Sequence, residues 1–210
     1  MIIDKFKKRK LKNINRIPPK NGDIPIGNWV KCDKCEEIIY KEVLHSNYSV
    51  CPYCDNHFRL SSRRRLKQIT DNNTFEEFKL DLPASNPLNL EDYTKKLAIL
   101  KEKTGLDEAI ICGKCKINNI GTIICIMDGN FLMGSMGKVV GEKITYSIEK
   151  AKDCHLPLII FCVSGGARMQ EGIVSLMQMA KTASALSKLD EARTSIYFCS
   201  NRPNIWWCYC

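Results

Sequence analysis

At 210 residues, 44% hydrophobic and 26% charged, the chain has room for a small module plus a medium domain, and its composition excludes both a disordered and a membrane-embedded protein. Its net charge of +9 is confined to the first third: residues 1–70 carry 16 Lys/Arg against 7 Asp/Glu, and residues 71–210 carry 16 of each. The opening MIIDKFKKRK lacks an apolar stretch, so it does not read as a secretory signal, and no apolar run reaches the length of a membrane span. A cytoplasmic protein with no membrane association is expected. In that compartment the 12 cysteines point to metal binding over disulfides.

Residues 1–28 are polar, basic and broken by Pro18, Pro19, Gly22, Pro25 and Gly27, which reads as a flexible basic segment. Its charge suits an acidic partner such as RNA or DNA; a solvated tail with no partner is the other reading. From Trp29 the pattern changes to Cys32-Asp-Lys-Cys35, then, after fifteen residues, Cys51-Pro-Tyr-Cys54. Each CxxC aims two thiolates at one point, and four thiolates close a tetrahedral shell around Zn²⁺ with no open position. A structural zinc ribbon over 29–60 is therefore expected, with short strands at Ile38–Tyr40 and Tyr48–Val50.

Beyond the ribbon, Ser61 reads as the N-cap of a short basic helix containing Arg63, Arg64 and Arg65, which either contact phosphates or form a solvated face. Asn73–Phe78 suggests a second capped helical turn, and residues 91–103 a helix closed by Gly105. From Glu108 the pattern is β: Ala109–Cys112 and Lys116–Ile117 lead through an Asn118-Asn119 turn into residues 121–127. Cys112 and Cys115 form a third CxxC without a fourth pair nearby, so they flank a hairpin more naturally than they hold a second metal. A glycine-rich loop, residues 128–137, then opens a helix over about 142–152. A strand at Leu156–Val163 leads into Ser164-Gly-Gly-Ala-Arg-Met-Gln-Glu-Gly172, and apolar residues at Met169, Ile173, Leu176, Met177, Ala180 and Leu186 follow at helical spacing. Strand, glycine loop and helix, twice over, indicate an α/β domain. Gly165 and Gly166 thus sit where a strand turns into a helix, and backbone N–H groups there could hold an oxyanion or enolate. A tight turn chosen only for packing explains the same residues.

The ribbon, Thr104-Gly-Leu-Asp-Glu-Ala109, Met133-Gly-Ser-Met-Gly137 with Gly141-Glu-Lys143, and above all Ser164–Gly172 followed by Ser175-Leu-Met-Gln-Met-Ala-Lys181 resemble the carboxyltransferase β subunit of bacterial acetyl-CoA carboxylase, from about Pro25 to Glu191. The resemblance implies a crotonase-like spiral of ββα units, here incomplete, behind a four-cysteine zinc ribbon. It implies transfer of a carboxyl group from carboxybiotin, carried on a biotin carboxyl carrier protein, to acetyl-CoA, giving malonyl-CoA for fatty-acid synthesis. An α subunit completing an α2β2 assembly, a biotin carboxylase partner and an ATP-binding (nucleotide-binding) complex come with it. On that resemblance Cys32, Cys35, Cys51 and Cys54 hold zinc, Gly165 and Gly166 form the oxyanion hole, and Gly134, Ser135, Met136, Gly137 and Arg168 contact substrate. A zinc-ribbon nucleic-acid-binding module and a related acyl-CoA carboxyltransferase or decarboxylase subunit are the alternatives.

The carboxyltransferase part is expected to span 61–192, because the resemblance stops there. Residues 193–210, RTSIYFCSNRPNIWWCYC, hold two of the three tryptophans and show no helical or strand period. Back-translated with permitted codons and shifted by one base, the same tail reads GLLYISVLTDPTYGGVT, which is close to how the family continues. A one-base frameshift near Arg193, in the gene or its sequencing, is expected, followed by early termination and a poorly soluble, inactive product.

Overall fold

The computed structural model describes residues 27–83, 85–163 and 165–200; most of the expected basic segment and the second half of the anomalous tail lie outside them. The chain divides into two compact units, one up to Phe58 and one from Arg59.

In the first unit, β1 (Trp29–Lys31) pairs antiparallel with β2 (Ile38–Tyr40), and the Trp29 and Tyr40 rings lie 5.2 Å apart across the pair. The second expected strand, at Tyr48–Val50, is not formed. Helix α1 (Lys41–Ser46) follows β2 instead, and Val50 makes only an isolated bridge to His57. Tyr48 and Ser49 adopt φ of 54° and 63°, a left-handed conformation that interrupts any extended run. Cys32, Ile39, Leu44 and Cys51 form the unit's small buried cluster.

The second unit begins with α2 (Ser62–Ile69). Ser61 occupies the N-cap position but makes no side-chain cap. The anchor is Ser62, whose N–H and hydroxyl both donate to Asp128 Oδ2, at 2.7 and 2.8 Å. A five-stranded sheet follows in the order β3-β4-β5-β6-β7. Its first strand, β3 (Glu76–Glu77), replaces the helical turn expected at 73–78 and pairs with β4 (Ile110–Ile117) at Lys114 and Gly113. The pairing depends on Gly113, where any Cβ would enter the Phe75 ring. Helical spacing of Phe75 and Phe78 thus yields to a free sheet edge.

β4 turns into β5 (Ile120–Met127) through Asn118 and Asn119, whose φ of 50° and 65° match the tight hairpin turns that asparagine tolerates. The Asp71 carboxylate accepts both their N–H groups, at 3.1 and 2.8 Å. From here the sheet becomes parallel. α4 (Lys138–Cys154) crosses from β5 to β6 (Leu158–Cys162), and α5 (Ile173–Glu191) crosses from β6 to β7 (Ile196–Ser200). Parallel neighbours require such crossovers, and β5, buried from Thr122 onward, forms the centre of the core with α3 (Glu91–Thr104) and α4 packed around it. α3 ends at Gly105 in the left-handed conformation, as its sequence indicates.

Two boundaries change the reading of the glycine loop. The helix expected from Met169 begins only at Ile173, after a single 3-10 turn at Met169–Glu171, so Gly165 and Gly166 lie several residues before its positive end. The apolar stripe on that helix also faces outward: Met169, Ile173, Leu176 and Met177 are 84%, 68%, 47% and 58% exposed. The buried face consists of Ser175, Gln178, Thr182, Ala185 and Leu189. Close approach of α4 selects these residues. An alanine Cβ at Gly141 of α4 would lie 2.7 Å from the Gln178 Cβ.

Gly141→Ala should therefore destabilise the second unit by about 1–3 kcal/mol through overpacking. Urea denaturation checks this, with Gln178→Gly, which removes the Cβ the new methyl would meet, recovering part of the loss in the double variant; purely additive effects would show that the contact is not the cause.

Candidate active site and metal centre

The four ribbon cysteines converge as their spacing requires. All four Sγ atoms lie within 4.8 Å of one another, with Cys32–Cys54 and Cys35–Cys51 both at 3.7 Å. A tetrahedron with Zn–S bonds of about 2.3 Å has edges of about 3.8 Å, so the thiols already stand at zinc-shell spacing. These separations are far too long for disulfides, and the cysteines are free. The residues fit a structural Zn²⁺, which would neutralise the thiolates and tie the two CxxC turns together. Backbone N–H groups of Cys35 and Lys34 help by holding the Cys32 thiol down to about 6, against the opposing effect of burial.

In the second unit two glycine loops meet. Met136 N–H donates to Gly166 O and Arg168 N–H donates to Met136 O, both at 2.9 Å, which makes a short parallel bridge between Met136 and Ala167. The loop carrying Met133–Gly137 is pressed onto the end of β6. Gly134 has φ of 70°, and a Cβ there would fall on the Val163 carbonyl oxygen. A Cβ at Gly165 would stand 3.1 Å from Met133 Cβ, so the second loop is held equally close to the first. Gly166, with φ of 93°, is closed to ordinary side chains. Gly165 is exposed, and among the described residues its N–H has no hydrogen-bond acceptor.

Beneath the loops lies Arg168, 1% exposed and among the largest fully buried side chains. This corrects the substrate-contact role expected of it, because every guanidinium nitrogen is engaged within the protein. Nη2 lies 2.6 Å from Glu108 Oε1 and Nη1 3.0 Å from Glu108 Oε2, a two-pronged pair. Nη1 also reaches Glu171 Oε1 at 3.2 Å and the Tyr93 hydroxyl at 3.3 Å. Nε donates to Ser135 Oγ at 3.3 Å and Nη2 to Ser135 O at 3.0 Å. Burial alone would lower the Arg168 pKa, but Glu108 and then Tyr93 more than offset that and push it up. Burial likewise pushes the Tyr93 phenol up, with Arg168 partly opposing.

Glu171 extends the network. Its Oε1 accepts from the Tyr93 hydroxyl at 2.7 Å, and its Oε2 accepts from Lys138 N–H at 2.6 Å, at the start of α4. A carboxylate at that helix terminus is electrostatically favourable. Gly137 makes the approach possible, since a Cβ there would lie 2.5 Å from Glu171 Oε1. Ser175 at the start of α5 closes the other side: its hydroxyl donates to Met136 O at 2.6 Å and accepts Arg168 N–H at 2.7 Å.

Of the expected substrate residues, the structure therefore brings Gly134, Ser135, Met136, Gly137 and Arg168 together with Gly165 and Gly166. Gly134, Ser135, Gly137 and Arg168 are buried, however, and the exposed described members of the two loops are Asn130, Met133, Gly165 and Met169. Tyr93, Glu108, Glu171 and Ser175 were not singled out from sequence. The Arg168–Glu171 spacing was the available signal, since residues three apart can form an ion pair on one turn.

Removing one member of this buried group leaves the others uncompensated, so Arg168→Met should cost roughly 3–5 kcal/mol and Glu108→Gln less, because an amide still accepts one hydrogen bond. Chemical denaturation gives the ranking, and equal small losses would contradict it. Metal analysis of the purified chain should find one zinc per chain, and none in Cys51→Ala.

Comparison with known proteins agrees with both halves. Residues 29–54 match the acetyl-CoA carboxylase zinc finger domain, and residues 61–198 match the carboxyl transferase domain. The acetyl-coenzyme A carboxylase carboxyl transferase subunit beta of Clostridium botulinum (strain Hall) is 51% identical over 205 residues, covering 95% of this chain and 71% of that protein. The subunits beta/alpha protein of Clostridium tetani is 55% identical over 169 residues, 80% of this chain and 29% of its own length. A transcarboxylase 12S crystal structure shares the crotonase-like carboxyl transferase fold at a TM-score of 0.53 and 24% identity, with this chain spanning a quarter of that one (71% and 25% coverage). The chain belongs to the acetyl-coenzyme A carboxylase carboxyl transferase subunit beta family.

Proposed function

We propose that this chain supplies the β half of an active site that moves a carboxyl group from carboxybiotin on a carrier protein to acetyl-CoA, forming malonyl-CoA. Family membership gives the reaction type, and one observation carries the assignment of the site: the exposed Gly165 N–H, on a loop locked to a second glycine loop. Carboxyl transfer develops negative charge on a thioester enolate and on a ureido oxygen. Fixed backbone N–H groups stabilise such charge without titrating, and one donor contributes on the order of 3–4 kcal/mol of barrier lowering. Biotin, bound to its carrier, would deliver the carboxyl group; this chain's part is to hold Gly165 and Gly166 toward it or toward the thioester. Ser135 and Arg168 then act as positioning residues beneath the loops, since their polar atoms are spent on Glu108, Tyr93 and each other.

The outward stripe of Met169, Ile173, Leu176 and Met177, beside exposed Met133, supports an α subunit as the completing partner within an α2β2 assembly, alongside the carrier and a biotin carboxylase. The surplus charge in residues 1–70 supports a secondary nucleic-acid contact, for which filter binding across a salt series should give a steep negative slope. Cytoplasmic residence and ATP use by the complete enzyme follow from the same reading.

The tail from Arg193 is proposed to be a shifted reading frame. Tyr197 and Phe198 of β7 are 57% and 46% exposed, which fits residues not selected for their places in the strand. Resequencing should find the family continuation one base out of frame from about Arg193, and an unshifted frame that yields this same tail would end the idea. With the frame restored and the α subunit and carrier added, malonyl-CoA formation should appear, and the chain that ends in the shifted tail should show none. In the restored protein Gly165→Val, whose side chain would meet Met133 and displace the N–H, should lower kcat roughly 10²–10³-fold when assayed well below a modestly reduced melting temperature. Unchanged turnover would remove Gly165 from the site.

A further inference from the structure

A cavity of about 500 Å³ opens between α3, α4 and the segment after β3; among its described wall residues only Glu171 comes from the two glycine loops. Its floor includes Lys143 on α4, 7% exposed. Among the described residues no hydrogen bond or ion pair engages that ammonium, although a buried cation ordinarily has both. The other buried charges on the floor, Glu108 and Glu171, are committed to Arg168. At the rim the exposed charges cancel, with Arg63, Lys79 and Lys101 against Glu77, Asp81 and Asp107. The lining between floor and rim includes Phe78, Leu80, Leu97 and Val139. Val139 and Lys143 stand one helical turn apart in the first half of α4.

We propose that this cavity binds a short aliphatic monocarboxylate, its carboxylate paired with Lys143 and its hydrocarbon body against Phe78, Leu80, Leu97 and Val139. A single ammonium with no carboxylate paired to it, though it also acts on the buried Cys112 thiol, selects at the base of a partly apolar pocket a singly charged head with an apolar tail. The cavity borders the Arg168 group through Tyr93, Glu108 and Glu171, and its test needs no activity.

The probe is sodium hexanoate, with sodium chloride at matched ionic strength as the reference and thermal unfolding of the full chain as the readout. Wild type should melt roughly 5–10 °C higher at a hundredfold excess over Kd, with saturation. Lys143→Met should lose the rise, and Lys143→Arg should keep part of it. Val139→Phe, which fills the cavity and leaves the charge in place, should lose it too and serves if Lys143→Met fails to fold. Inorganic phosphate, which has no hydrocarbon body, should give a smaller rise than hexanoate. No rise in wild type beyond that with chloride would overturn the proposal and leave Lys143 as a distant counter-charge to the Glu108–Arg168–Glu171 group. An undiminished rise in Lys143→Met, or an equal rise with phosphate, would overturn it as well.

Discussion

The guanidinium of Arg168 fixes the site. Two carboxylates, a phenol, a serine hydroxyl and that serine's main-chain carbonyl surround it, drawn from four stretches of chain. Glu108 stands just before β4, Tyr93 on α3, Ser135 in the first glycine loop and Glu171 in the turn before α5. Such a group gains little net stability over an apolar core of equal volume, because two kinds of charge must be desolvated. What it provides is directional: the planar fork accepts partners at only a few angles, so the loops can close in only one register.

That constraint explains why glycines are dense here. Gly137 lets Glu171 reach the start of α4, Gly134 lets its loop lie on Val163, and Gly165 lets the second loop lie on Met133. A side chain at any of the three would push apart elements that the arginine holds together. The glycine N–H that remains exposed, at Gly165, is therefore presented by a rigid support. Preorganisation of this kind is what an oxyanion site requires, because a donor that must first reorient contributes less at the transition state.

Much of this was legible from residues. The zinc ligands followed from spacing, since four thiols in two CxxC turns have one economical geometry. The α3, β4–β5 and β6 assignments followed from period and turn chemistry, down to Gly105 and Asn118-Asn119. The failures share a physical cause, which is tertiary demand overriding local pattern. Glu76–Glu77 became a strand because β4 offered an unpaired edge. Tyr48–Val50 did not become one because its backbone turns left-handed around the cysteine knuckle. Arg168 is expected to contact substrate through the resemblance alone, and the partners that make its burial tolerable are distant in sequence.

The inverted helix α5 follows from the same rule and sharpens the functional reading. A helix in contact with one neighbour normally buries its apolar stripe. Here Ser175, Gln178, Thr182 and Ala185 face inward, because α4 approaches at Gly141 too closely for larger side chains. Among the described residues, buried Thr145 Oγ1 and Gln178 Oε1 even lack hydrogen-bond partners, so the packing is not optimised for α5 and α4 alone. The large apolar residues are left on the outer face, at the same end of the helix as the glycine loops. Leaving that many methionine and isoleucine side chains in water is unfavourable by roughly 25 cal/mol per Å² of apolar surface. That cost is what singles out this face, beside the site, as the one for the partner subunit proposed above.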